Sequence, residues 1–342
     1  MKFSTNYILY PDNRVLENAI TECRDLLTAE QSESLFPDRS TVVADNFLHT
    51  RGNFEQQKFS TTVYESLSEA LKASLTDDLR AQKPLVWAEK QNHLGNILAG
   101  MAQQKASTEL YEEAIQCFSY ALEEFNQEKT PHEWAETQFS LGSASQSLGR
   151  LLTDKKPYKT AIDAYTNALL VWTKNESSED WMLSMHNLGT TFHEYGKLLS
   201  GNRTFQKSVV AYKNTISALD ADNYAFELVA SHNNCGAVLH NMAESEENMD
   251  RMEEAIRSYE KGWTVCMEQQ LPVHLSVLCR VNKTIARGVI AEFNKSALLA
   301  DEVADEYEII LECFPHALQP LCAKYCEAQM NKMRELAESS AA

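Results

Sequence analysis

The sequence has no apolar run of the roughly 18 residues that a membrane-spanning helix needs. Its opening stretch, Met1 to Asn13, holds no apolar core of signal-peptide length. A soluble cytoplasmic protein is therefore expected. Cations are scarce: 31 Lys and Arg stand against 49 Asp and Glu, giving a net charge of -18 and a pI near 5.0. Nucleic acid and anionic lipid both require basic surface, so neither is an expected partner. A neutral or basic protein or peptide fits such a charge balance better. Eight cysteines are present without one CxxC pair. Three of them, Cys117, Cys235 and Cys266, fall on apolar helical positions, which points to reduced, buried thiols. No glycine-rich phosphate loop precedes a helix, and no GxSxG elbow is present. His193-Glu194 lacks the second histidine of an HExxH zinc helix. These absences point away from an enzyme and from any cofactor, and leave binding as the function to look for.

What the sequence does have is a period. Gly95, Gly142, Gly189 and Gly236 lie 47 residues apart. Trp87, Trp134 and Trp181 keep the same interval, with Leu228 in the fourth place. So do Ala114, Ala161, Ser208 and Ala255, and likewise Phe118, Tyr165, Tyr212 and Tyr259. A fixed period of this length means one supersecondary unit copied and stacked. Within a unit the pattern reads as two helices. In the first, Trp87, Gln91, Leu94, Gly95, Leu98 and Ala102 form one helical stripe between about Leu85 and Gln104. A polar break follows. The second helix then runs from Thr108, an expected N-cap, to about Gln127, with Tyr111, Ala114, Phe118 and Ala121 on one side. Pro131 opens the next unit, where its missing N–H costs least.

A mid-helix glycine costs about 1 kcal/mol relative to alanine. Four in register need a cause, and the close approach of a partner helix supplies one. A second small slot follows seven residues later: Ala102, Gly149, Gly196 and Ala243. Leu94-Gly95 followed by Ala114, Phe118 and Ala121 resembles the tetratricopeptide repeat, lengthened from the usual 34 residues. The run Trp87-Ala88-Glu89-Lys90-Gln91-Asn92-His93-Leu94-Gly95, and its copy beginning at Trp134-Ala135, is similar to an elongated bacterial form of that repeat. The resemblance implies an all-α fold, a right-handed α-solenoid of helical hairpins. Four units are expected at 81–127, 128–174, 175–221 and 222–268. A worn unit and a further helix over 11–36 are expected in the first 80 residues. Over 269–314 two more helices break register at Lys283 and Glu302, and a capping helix follows from Pro320 to about Ala337, with a fraying tail.

The resemblance further implies that the first helix of each pair lines a concave groove. Its face opposite the core stripe carries Asn92 and Asn96 in the first unit, then Phe139 and Gln146 in the second. His186, Thr190 and His193 follow in the third, and Asn233, His240 and Asn241 in the fourth. The face has no Lys or Arg, so the family's clamp for acidic C-terminal tails is not expected. Asn and Gln amides donate and accept together, which suits a peptide backbone. The expected function is a non-catalytic scaffold or adaptor that holds a partner segment, with Phe139 and Leu183 as apolar anchors. A solvated face, or one covered by the chain's own termini, is the plain alternative. A regulatory sensor that takes a ligand or metal between His186, His193 and His240 is another. Cys313, His316, Cys322 and Cys326 allow a zinc clasp by composition, but core cysteines explain the helical positions of Cys322 and Cys326 more simply.

Overall fold

The computed structural model describes residues 57–199, 202–314 and 320–341, so the helix expected over 11–36 lies outside the described residues. All regular structure among them is helical. The chain divides into two compact units. The first contains α1 (Gln57–Ser74), α2 (Asp77–Gln82), α3 (Pro84–Lys105), α4 (Thr108–Glu124), α5 (Pro131–Leu152), α6 (Lys155–Ala168) and α7 (Ser178–Lys197). The second contains α8 (Arg203–Ile216), α9 (Ala225–Glu246), α10 (Met249–Glu268), α11 (Val273–Asn294), α12 (Ala297–Cys313) and α13 (Pro320–Ala341). The division falls inside the third expected repeat, between its two helices.

The turns after α3, α5, α9 and α11 are made the same way. Ala106, Thr153, Glu247 and Lys295 end α3, α5, α9 and α11 in the left-handed region, at φ of 48°, 53°, 51° and 49°. The next residue's N–H then bonds back to the last turn: Ser107 to Ala102 O, Asp154 to Gly149 O, Asn248 to Ala243 O and Ser296 to Ala291 O, at 2.9–3.3 Å. This is a Schellman closure without glycine. The same four residues cap the following helix, their side chains accepting from Leu110, Lys156, Arg251 and Leu299 N–H. The cap of α4 is thus Ser107, one residue before the expected Thr108. The acidic run from Glu244 forms the last turn of α9, which ends at Glu246 with Glu247 as its C-cap. The C-terminal residues expected to fray continue α13 to Ala341.

Between the helices, the glycines sit under the aromatic rings. A Cβ added at Gly95 would lie 2.5 Å from Phe118 Cε1; at Gly142, 2.8 Å from Tyr165 Cε1; at Gly236, 2.6 Å from Tyr259 Cε1. Gly149, in the second small slot, lies under the Tyr158 ring. Helix packing normally keeps axes 8–10 Å apart, and a ring flat against a bare Cα is the way to fit an aromatic at the short end. Core clusters form around these rings. In the first unit Phe118 packs with Leu67, Leu71, Ile97 and Leu98, and Tyr165 packs with Phe139 and Trp172. In the second, Tyr259 joins Leu239, Met242 and Met252, and Tyr307 joins Val303, Ile310 and Cys326. Trp87 is buried, while Trp134 and Trp181 are half-buried against the core.

The break in register at Lys283 and Glu302 is an ion cluster. Lys283 Nζ lies 3.4 Å from Glu306 Oε1, and Arg287 bonds both Glu302 and Glu306. Polar residues replace the small and apolar slots because they answer one another across α11 and α12.

Candidate functional site: the polar faces of the first helices

In the first unit, α5 and α7 meet through a polar chain. Tyr165 OH, reaching in from α6, donates to Gln146 Oε1 at 3.1 Å. Gln146 Nε2 donates to Glu194 Oε2 at 3.2 Å, and Arg150 Nε donates to Glu194 Oε1 at 2.8 Å. Glu194 is nearly enclosed while Arg150 reaches toward solvent. Arg150 therefore brings a cation to the edge of a face expected to have none. Burial pushes the Tyr165 hydroxyl well above its ordinary range, so it stays a donor.

Tyr259 is the contrasting case in the second unit, since its buried hydroxyl makes no hydrogen bond among the described residues. Tyr259→Phe is expected to leave stability unchanged or raise it slightly. Tyr165→Phe is expected to cost about 1 kcal/mol, because Gln146 loses its donor. Urea unfolding of the two variants checks the contrast, and equal losses would contradict it.

The structure buries most of the expected binding residues. Asn92 and Asn96 on α3 are each 6% exposed. Gln146, His186, Thr190, His193, Asn233 and His240 are buried as well, and Asn241 is half-buried. Phe139 is not an open anchor: its ring packs 5.6 Å from Tyr165 and 5.7 Å from Trp172, and Leu183 lies in the same cluster. Thr190 donates its hydroxyl to the His186 carbonyl one turn back, at 3.1 Å. Some of these side chains keep unspent polar atoms. Asn92 Oδ1 and Asn96 Nδ2 make no hydrogen bond among the described residues.

In the second unit an asparagine ladder joins α9 to α11. Asn282 Nδ2 donates to Asn233 Oδ1 at 2.8 Å, and Asn233 Nδ2 donates to Asn234 Oδ1 at 3.3 Å. His240 is fully buried, with Nε2 3.6 Å from Glu244 Oε1. Asn282 lies 49 residues after Asn233, off the 47-residue period, so equal spacing does not point to it. The contacts between neighbouring first helices run instead from residue 146 to 194 and from 233 to 282, one and two positions past the period.

Burial, then the charge of Lys197, holds His193 well below its ordinary value, so it is neutral at physiological pH. His186 and His193 belong to the first unit and His240 to the second. No group of three or more His, Cys, Asp or Glu among the described residues is placed to hold a metal ion. Cys322 and Cys326 are buried in the α12–α13 core, as their helical spacing suggested, Cys313 is exposed, and His316 lies outside the described residues. No described helix is long and apolar enough to cross a membrane. The sequence matches no family model and no curated protein.

Proposed function

We propose that the protein is a tetratricopeptide-like α-solenoid and works as a non-catalytic scaffold, holding a segment of a partner protein along the polar faces of its first helices. The observation that carries this reading is the pair Asn92 and Asn96. Buried amide atoms without partners are rare, because each forfeits the hydrogen bonds it made to water. Two of them lie one turn apart on α3, an acceptor and a donor enclosed in the free chain that a docking segment would reach as neighbouring side chains move aside. An extended backbone offers the complementary pair, an N–H and a C=O, at similar spacing. The period supports the same reading within the first unit, since His186 on α7 fills the slot of Asn92 two periods on. The net charge of -18 favours a neutral or basic segment. In a cell such a protein would be cytoplasmic, with no part in nucleic-acid or membrane binding.

The test uses peptides selected from a random display library on the purified protein, followed by calorimetric titration. Asn92→Ala with Asn96→Ala is expected to weaken binding of the selected peptides about tenfold, two hydrogen bonds at 0.5–1.5 kcal/mol each. The unfolding midpoint is expected to hold or rise, because the variant removes unsatisfied buried atoms. Unchanged affinity in the double variant, or no enrichable peptide at all, would sink the proposal. Asn233 is left intact in this test because its amide holds the α9–α11 ladder.

A further inference from the structure

We propose that Cys266 and Cys279 are a modification site: a thiol pair that closes to a reversible disulfide between α10 and α11 when the protein meets a hydroperoxide. The two sulfurs belong to different helices, joined through a short turn. Both lie in one small buried cluster. Cys279 Sγ also lies against Gly262, one turn before Cys266 on the same side of α10, where an added Cβ would sit 3.2 Å from the sulfur. The missing side chain at Gly262 is what lets α11 bring its thiol this close. The pair shares an apolar cluster with Val229 and Leu275, flanked by Trp263 and Leu271. Disulfide geometry asks for Cβ atoms about 3.5–4.5 Å apart, which neighbouring side chains on paired helices can reach by rotation.

The pair is also chemically unequal. Cys279 donates its S–H, which lowers the Cys266 thiol below its ordinary value and raises Cys279 well above it. Elsewhere burial works in one direction only: Cys117 is pushed up to about 12 and Cys235 to about 11. Cys266 is thus the thiol of this pair better able to act as nucleophile. Its thiolate attacks a peroxide oxygen, the O–O bond breaks, and the departing oxygen leaves as water, or as an alcohol from an organic hydroperoxide. Cys266 is now a sulfenic acid. Cys279 gives up its proton and attacks that sulfur, releasing a second water and forming the S–S bond. Two thiols are oxidised by two electrons, and the peroxide is reduced; a dithiol reductant reverses the change.

Both sulfurs are buried, so the oxidant enters by local opening. The adjacent turn is suited to it. Gln270 sits in the left-handed region at φ 51°, and Met267 and Val273 on either side are exposed. Closure would tie two consecutive helices together and stiffen that junction.

The pair lies within a single tryptic peptide, Gly262–Arg280, which makes the test direct. The full-length Cys313→Ser protein, freed of its exposed thiol, is treated with a small excess of hydrogen peroxide. It is then unfolded in N-ethylmaleimide, digested and weighed. The expected result is a Gly262–Arg280 peptide lighter by two hydrogens and free of maleimide, restored by dithiothreitol. Oxygen on Met267 is a separate, additive mass. Adding Cys279→Ala is expected to leave a Cys266 sulfenic acid that dimedone traps, while the parent gives no such adduct. The proposal is overturned if both cysteines take maleimide after peroxide treatment, if Cys266 over-oxidises with Cys279 present, or if Cys117 and Cys235 are consumed first.

Discussion

Valine at position 95 is expected to cost the first unit about 3 kcal/mol, at the upper end of what overpacking a core costs. The argument is geometric. An added Cβ at Gly95 would stand 2.5 Å from Phe118 Cε1 and 2.8 Å from Cδ1, inside any contact real atoms make. The ring cannot swing away, because Leu67, Leu71, Leu98 and Ala114 close around it. Alanine at the same place gains about 1 kcal/mol of helix propensity over glycine, which offsets part of the clash. Gly95→Ala should therefore lose less than Gly95→Val, and Phe118→Leu should rescue it by removing the ring atoms that collide. The double-mutant cycle reads that coupling directly. Gly288 is an internal control. A Cβ there would meet Met333 Sδ and Val303 Cγ1 at 3.7 Å, ordinary contact, so Gly288→Ala is expected to stabilise by about 0.5–1 kcal/mol. Urea midpoints decide the matter. If Gly95→Ala and Gly288→Ala behaved alike, the glycines would not be there to admit rings.

The helical content and the pairing of glycine with aromatic were legible because both are local or periodic signals. The interval of 23 residues from Gly95 to Phe118, Gly142 to Tyr165 and Gly236 to Tyr259 is repeated in the sequence, and packing realises it each time. The hairpin turns were only half legible. Polar residues marked their places, but the left-handed residue is Ala106, Thr153, Glu247 or Lys295, none of which advertises a positive φ. The backbone bonds that close each turn repay that cost, and they leave no trace in residue type. The candidate site was least legible. Its residues were chosen as the side of a helix away from its own core stripe. Such a rule assumes one buried stripe per helix, whereas α9 is buried nearly all around. Phe139 shows the consequence: an aromatic away from the glycine stripe proved to belong to a second cluster, packed on Trp172. The polar links Gln146–Glu194 and Asn233–Asn282 cross between helices with a stagger that equal-slot reasoning does not contain.

Acidification is expected to destabilise both units before any carboxylate is protonated. Two buried histidines carry this prediction. His232, in the second unit, is held down at about 4 by burial and then by the charge of Lys261; its neighbours across the helix pair are Ser258 and Gly262 on α10. His193, in the first unit, is held well below its ordinary value by burial and Lys197, with Glu194 beside it in the chain. In the unfolded chain each titrates near 6.5. Both folded values are depressed, so below that pH the unfolded state binds a proton that the native state refuses. Stability is then full above about pH 6.5 and falls with pH, at about 1.4 kcal/mol per pH unit for each histidine. For His232 the loss levels off once the pH passes the native value of about 4. Between about pH 6.5 and 5, ahead of the Asp and Glu range, the His232 site should cost about 2 kcal/mol, and His193 adds a loss of the same sign. The measurement is the urea midpoint across that window for the parent, His232→Asn and His193→Asn. Each variant is expected to remove one histidine's share of the slope, whatever it does to stability at pH 7. A slope unchanged in both variants would mean that the native chain admits the protons, and that these imidazoles are not sealed in the cores where the structure places them.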